Sequence, residues 1–262
     1  MRIRPLFAFP LSLAIGTSLY ASSYSLSISA DTTQFDYAET DYSGQLLDTE
    51  KNSFGDIAGF TLSIDPAFSG FYLTASYSSG ETDYIGGTDL NPTYGSHRTT
   101  TDNTVVDYSA GFKSIIPLGM RGEVEMPFKV GLGYREWSRD IRPTQSVLGY
   151  EEIYDWGYFD IGIGLHYPLS PDASLGIDAS YRKAFNAQMR ENLYGITFDL
   201  NNVYGYTIAV PLEVALNDSM NLFFQYRYEY WNIGASNIVW GYYEPDSETK
   251  NQTLSAGLRF WF

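Results

Sequence analysis

The sequence has no cysteine, only two histidines and no run of about twenty apolar residues. A disulfide framework and a cysteine nucleophile are therefore excluded, and we expect no membrane-spanning helix. Basic residues are also scarce, with 16 Lys and Arg against 31 Asp and Glu. We expect no nucleic-acid partner, because phosphates require cationic side chains. No phosphate-binding loop or zinc motif is present, so we also expect no cofactor.

Residues 1–21 have the pattern of a secretory signal peptide. Arg2 and Arg4 precede a short apolar stretch, and small residues follow up to Ala21. The sequence therefore predicts a signal peptide over 1–21, cleaved after Ala21 or Ser23, and one mature domain over 22–262. The lack of cysteine suits export through an oxidising compartment. Without Arg2 and Arg4, 14 basic residues remain against 31 acidic ones.

The last nine residues alternate between apolar and mixed side chains, as in a strand with one lipid-facing side. Leu254, Ala256, Leu258, Phe260 and Phe262 share one face. At about 3.3 Å per residue and a tilt of about 45°, nine residues span roughly 20–25 Å, the apolar thickness of an outer membrane. Similar alternation recurs along the whole chain and is typical of membrane-spanning strands.

Four prolines mark the ends of alternating segments at a nearly constant interval. Pro66, Pro117, Pro168 and Pro211 are separated by 51, 51 and 43 residues, and Phe262 lies 51 residues after Pro211. Proline cannot donate to a sheet ladder and therefore favours strand ends. The interval indicates a repeated unit of an ascending strand, a long loop and a descending strand. We predict an all-β, antiparallel, up-and-down transmembrane β-barrel of ten strands, or twelve if 184–203 or 233–245 forms another hairpin.

Aromatic residues near both ends of the predicted strands indicate two interfacial girdles. The predicted loop-side girdle contains Tyr77, Tyr134, Trp156, Tyr158, Tyr181, Tyr206 and Tyr228. The predicted turn-side girdle contains Phe71, Phe112, Phe128, Tyr167, Phe224 and Phe262.

The ending Leu254–Phe262 resembles the terminal strand of bacterial outer-membrane β-barrels. In those proteins the final aromatic residue is recognised by the barrel-insertion machinery. The resemblance implies that Leu258, Phe260 and Phe262 form an assembly signal. It also implies export through the periplasm to the outer membrane, with lipid, lipopolysaccharide and the assembly machinery as partners.

The opposite strand faces should line the barrel lumen with polar residues of both charges. The candidates are Asp107, Lys113, Lys129, Arg135, Asp160, His166, Asp178, Arg182, Arg227, Glu229 and Arg259. Because unpaired buried charges are costly, a network of ion pairs that fills the lumen is one expectation. A narrow polar passage for small solutes is the other.

The acidic residues concentrate in the predicted loops. These loops contain Glu39, Asp41, Asp48, Glu50, Asp56, Glu81, Asp83, Asp89, Asp102, Glu244, Asp246 and Glu248. Carboxylates suit divalent cations such as Ca²⁺ and Mg²⁺. We therefore expect a solvated acidic outer surface that could bind divalent ions, with no external ligand specified.

The layout also resembles the ten-stranded omptin proteases, with Gly133-Tyr134-Arg135-Glu136-Trp137 and the Leu254–Phe262 ending as the similar segments. Omptins pair two aspartates with an Asp-x-His motif, and neither His97 nor His166 belongs to such a motif. The sequence thus offers no catalytic residue. We expect a non-enzymatic surface protein for structure, adhesion or interaction, with a small-solute channel and an omptin-like hydrolase as alternatives.

Overall fold

The computed structural model describes residues 24–88, 90–119 and 124–262, so the predicted signal peptide lies outside the described residues. Within these ranges no helix is long and apolar enough to cross a bilayer. The strands are β1 (Tyr24–Thr40), β2 (Leu46–Lys51), β3 (Ile57–Pro66), β4 (Ser69–Gly86), β5 (His97–Leu118), β6 (Val124–Ile141), β7 (Tyr150–Ser170), β8 (Ala173–Glu191), β9 (Thr197–Asn217), β10 (Met220–Ser236) and β11 (Asp246–Trp261).

The strands form one closed antiparallel ring. Each strand from β4 to β11 pairs with the next, and β1 closes the ring by pairing with β11 from Ser25↔Trp261 to Thr40↔Asp246. The strands β2 and β3 together occupy the position between β1 and β4, β2 on the loop side and β3 on the turn side. The eleven strands thus fill ten positions, which agrees with the predicted ten-stranded, up-and-down barrel.

The connections are short at one end and longer at the other. Two residues join β3 to β4, β7 to β8 and β9 to β10, whereas ten residues, 87–96, join β4 to β5 at the opposite end. The predicted loop that contains Glu81, Asp83, Asp89 and Asp102 is therefore shorter than expected, because β4 continues to Gly86 and β5 begins at His97. Most of the predicted loop sequence forms hydrogen-bonded strand that prolongs the barrel.

The outward side chains divide the barrel into an apolar turn-side half and a polar loop-side half. On β6, Phe128, Val130, Leu132 and Tyr134 are between 37% and 52% exposed, and the next outward residue is Glu136. About 9–11 residues of a tilted strand cross a membrane, whereas the ring-forming strands β5 and β11 have 22 and 16 residues. The loop-side half therefore projects beyond the lipid-facing band.

Most residues of the two predicted girdles point outward from the barrel, but Trp156 and Tyr158 point inward. All six turn-side residues, and Tyr77, Tyr134, Tyr181 and Tyr206 on the loop side, have outward, exposed rings. Trp156 and Tyr158 were placed on the wrong face, since they are 1% and 0% exposed and point into the barrel. Phe159 faces outward, so its neighbour Tyr158 must face inward.

Candidate functional site in the barrel interior

The predicted lumen residues lie in the interior of the barrel. A cavity of about 310 Å³ is lined by Asp107, Lys113, Lys129, Arg135, His166, Asp178, Arg182, Arg227, Glu229 and Arg259. Asp160 is 3% exposed and pairs with Lys129, which lines the cavity. Leu258 and Phe260 belong to β11, whose last backbone contacts join Phe262 to Tyr24 at the turn-side rim.

Ion pairs form the turn-side rim of this cavity. Lys113 Nζ lies 2.8 Å from Asp65 Oδ1, and the Arg259 guanidinium pairs with Glu213. His166 Nε2 lies 3.0 Å from Asp178 Oδ1. The side chains of Lys113 and His166 keep 21% and 26% of their surface exposed. The turn-side rim is therefore less buried than Arg135 and Arg182, whose side chains are 7% and 12% exposed.

A more deeply buried charge layer lies above the rim. Arg135 contacts Glu229 at 3.0 Å and Asp107 at 3.3 Å, and Arg182 contacts Glu229 at 2.8 Å. The hydroxyl of Tyr158 donates to Asp107 at 2.6 Å. Gly133 pairs with Tyr158 across the ladder, and a Cβ at Gly133 would lie 2.1 Å from the Tyr158 ring. Glycine at this position therefore lets the tyrosine ring lie across its strand.

An aromatic layer closes the interior above the charges. Trp156 and Trp231 pack with ring centroids 5.1 Å apart, and Tyr158 contacts Trp231 at 5.8 Å. Trp137 stacks on Tyr154 at 4.9 Å, and both are at most 2% exposed. These residues belong to one buried cluster that also contains Phe35, Met189, Phe198, Leu200, Val203 and Ile233. The lumen is thus filled by side chains at the level where the barrel leaves the lipid-facing band.

Arg139 is the central residue of the loop-side interior, five residues beyond Tyr134 on β6. Its guanidinium lies 2.7 Å from Glu50 and 2.5 Å from Glu152, and its carbon Cζ lies 4.1 Å from the centre of the Tyr37 ring. Glu50 also accepts hydrogen bonds from Thr82 and Thr101 at 2.8 and 2.9 Å. Charge-assisted hydrogen bonds of this kind hold both partners in a defined geometry.

Three acids assigned to a solvated loop surface lie inside the barrel instead. Asp48, Glu50 and Glu244 are 7%, 0% and 5% exposed. The first two belong to β2, whose inward side chains face Arg139, and Tyr154 donates a hydrogen bond to Glu244. Among the other predicted loop acids, Asp89 lies outside the described residues, and six are on strands: Glu39, Glu81, Asp83, Asp102, Asp246 and Glu248. The prediction is wrong for Asp48 and Glu50 because β2 is a strand with inward side chains, and for Glu244 because the connection between β10 and β11 turns its side chain to Tyr154.

The acids around Arg139 exceed its single positive charge, and their pKa values reflect this excess. Burial raises the pKa of Glu39 to about 8, and repulsion by Glu244 and Glu152 acts in the same direction. Burial likewise raises the pKa values of Asp48, Glu152 and Glu244. Several of these carboxyl groups therefore keep a proton at a pH where free carboxylic acids are ionised.

We expect the stability of the loop-side half to fall as the pH rises from about 4.5 to about 8. The unfolded chain loses the Glu39 proton near pH 4.5 and the folded protein only near pH 8, so ionisation favours unfolding between these values. Glu39→Gln should remove up to about 5 kcal/mol of this fall, because each pKa unit between 4.5 and 8 corresponds to about 1.4 kcal/mol. Urea unfolding in detergent at several pH values measures it; identical pH profiles for both proteins would contradict the assignment.

The two histidines lie in different environments. His97 is 9% exposed at the start of β5 and contacts the Tyr84 ring at a centroid distance of 6.0 Å. Within the described ranges, no carboxylate lies within 4.0 Å of His97, and the His166–Asp178 pair is at the turn-side rim. In the same ranges, no group of three or more His, Asp or Glu side chains could hold a metal ion.

Comparison with solved structures places the fold among bacterial outer-membrane proteins. The outer membrane protease OmpT from Escherichia coli superposes with a TM-score of 0.59 at 13% identity, covering 95% of this chain and 99% of that one. The translocator domain of the autotransporter NalP from Neisseria meningitidis gives 0.47 at 13% identity, with 90% and 88% covered. The transport unit of the autotransporter AIDA-I from Escherichia coli gives 0.44 at 10% identity, with 98% and 94% covered.

No protein-family model matches the sequence, and no curated protein sequence is significantly similar to it. The structural likeness therefore concerns the fold, which is independent of any particular activity. The chain has a closed antiparallel ring, an outward apolar band and a structural likeness to OmpT. It therefore has the fold of an outer-membrane β-barrel protein with an omptin-like layout.

Proposed function

We propose that this is a non-enzymatic, integral protein of the bacterial outer membrane whose loop-side half forms a closed, acidic structure on the cell surface. The observation that carries the proposal is the buried aromatic layer, with Trp137, Trp156 and Trp231 each at most 2% exposed. A lumen filled in this way leaves the outer surface of the projecting half as the part available for adhesion or interaction.

The outer surface of the projecting half supports the acidic character of this proposal. The outward residues Glu136 and Asp140 follow the apolar band on β6, and Glu81 and Asp83 occupy the same region of β4. Arg142 bridges two of the surface acids, lying 2.5 Å from Glu81 and 2.6 Å from Asp102. The proposed partners are lipid and lipopolysaccharide around the band, with divalent cations at surface carboxylates and the assembly machinery during insertion.

The two alternatives differ in their support. The small-solute channel is favoured by the polar cavity of about 310 Å³ in the turn-side half. The hydrolase alternative rests on the likeness to OmpT, which concerns the fold. In the described parts of the chain, His97 lacks the acidic partner that a loop-side catalytic site would require. We therefore rank the channel above the hydrolase.

Conductance in planar bilayers should separate the closed barrel from the channel. We expect refolded wild-type protein to insert and remain silent, because the aromatic layer interrupts the aqueous path. The double variant Trp156→Ala/Trp231→Ala removes two indoles that pack 5.1 Å apart and should produce brief openings. Openings of this double variant would show that the refolded barrel inserts into the bilayer, so the variant serves as the control for insertion. Steady openings of the wild-type protein would contradict the proposal and favour the channel.

A further inference from the structure

Among the described residues, the interior below the aromatic layer is less buried at its turn-side rim than beside Asp160 and Arg135. The side chains of Asp160 and Arg135 at its upper end are 0% and 7% exposed, whereas Lys113 and His166 at its lower end are 21% and 26% exposed. A volume of about 310 Å³ equals that of about ten liquid waters. The cavity therefore has room for a small organic molecule as well as bound water.

Among the described residues, the charge layer beside this cavity contains four cations and four carboxylates. The cations are Lys129, Arg135, Arg182 and Arg227, and the carboxylates are Asp107, Asp160, Glu229 and Asp31, which accepts hydrogen bonds from the cavity-lining Ser29 and Thr61. Among the described residues, six Lys and Arg side chains line the cavity, and five of them have a carboxylate within 4.0 Å. Arg227 is the exception, since no carboxylate of the described residues lies that close to its guanidinium.

The side chain of Arg227 borders the cavity and has no charged neighbour directly across either ladder. Its two partners across the ladders, Ala209 and Thr253, have short uncharged side chains, and all three residues line the cavity. The buried Nε of Arg227 has no hydrogen-bond partner among the described residues. The same holds for the hydroxyl of Thr207, which pairs with Glu229, two residues from Arg227 on β10. A guanidinium without a contacting carboxylate, which acts on Glu229 only at longer range, and a hydroxyl without a described hydrogen-bond partner thus lie on neighbouring strands.

We propose that the cavity is a binding site for a small organic carboxylate that enters from the turn side and pairs with Arg227. A guanidinium presents parallel N–H donors that match the two oxygens of a carboxylate. A single guanidinium without a contacting carboxylate matches a monoanion better than a phosphate ester, which carries about −1.5 to −2 at neutral pH. Thr207 supplies a second donor at the same site. The binding requires no conductance and is independent of the closed-barrel proposal.

Calorimetric titration of the refolded, full barrel with sodium pyruvate tests this site. We expect saturable 1:1 binding to wild-type protein and at least about tenfold weaker binding to Arg227→Gln, equivalent to the loss of about 1.4 kcal/mol. Thr207→Val should weaken binding by a smaller factor and provides a second test if Arg227→Gln folds poorly. Arg190→Gln removes an exposed arginine paired with Asp155 at 2.8 Å outside the cavity, and it should bind like wild type.

Three outcomes would overturn the proposal. The first is the absence of saturable pyruvate binding to wild-type barrel that inserts normally. The second is equal weakening by Arg190→Gln and Arg227→Gln, which would show that net charge alone determines the binding. The third is tighter binding of inorganic phosphate than of pyruvate, which would exclude a carboxylate as the preferred class.

Discussion

Replacing Arg139 with methionine should lower the free energy of unfolding by about 3–5 kcal/mol. The substitution leaves Glu50 and Glu152 without the guanidinium that lies 2.7 and 2.5 Å from them. An uncompensated carboxylate in a buried site is costly, because neither water nor a counter-ion replaces the lost partner. The loss should be smaller at acidic pH, where the two carboxyl groups can take up protons.

Urea unfolding in detergent measures this effect, with Arg190→Met as the matched control. Arg190 is paired with Asp155 but has 47% of its side-chain surface exposed, so its replacement should cost at most about 1 kcal/mol. The triple variant Arg139→Met/Glu50→Gln/Glu152→Gln removes the unpaired charges and should regain much of the lost stability. A loss below about 1 kcal/mol for Arg139→Met would contradict the central role of this residue.

Placing an arginine at position 256 should destabilise the barrel by about 2–4 kcal/mol if that position lies near the middle of the bilayer. Ala256 is on the outward face of β11, between the exposed side chains of Leu254 and Phe260. Ser255→Arg is the matched control one position away. Ser255 is 9% exposed, lines the cavity and pairs with Asp31 across the ladder. A guanidinium there reaches water and a carboxylate and should cost less.

Refolding the two arginine variants into lipid vesicles and measuring their unfolding free energies provides the comparison. Similar losses for Ala256→Arg and Ser255→Arg would mean that the two faces of β11 have been interchanged. The distinction is sharp, because adjacent residues of a strand point to opposite sides of the sheet.

The ring of strands could be predicted because the lipid-facing half obeys a simple rule. Where one face contacts lipid and the other lines the lumen, apolar and polar residues alternate, as from Leu254 to Phe262. The same alternation assigned Arg135, Asp160 and Glu229 to the side where the structure has them. Trp156 and Tyr158 are four and two residues before Asp160, so the same two-residue period also predicts that they point inward.

The loop-side half could not be predicted in the same way. Beyond the lipid, both faces of a strand can be polar, so alternation no longer distinguishes strand from loop. Glu50 and Glu244 therefore resemble surface acids in the sequence, and only the pairing of β2 with β1 and β4 brings Glu50 to Arg139. The sequence likewise could not show that Arg227 lacks a contacting carboxylate, because an ion pair depends on the distance between side chains on different strands and not on spacing along one strand.

The seam between β1 and β11 has a consequence for the rate of folding. Every other pairing in the ring joins segments that follow one another closely in the chain, whereas the hydrogen bond between Thr33 and Thr253 spans 220 residues. Closing so large a loop costs chain entropy that is recovered only when the whole seam forms. We therefore expect an open sheet of hairpins to precede the closed ring, with β1 and β11 as its two free edges. Until they meet, each edge can pair with another chain. The rate at which β1 and β11 pair therefore determines how long the folding protein can aggregate.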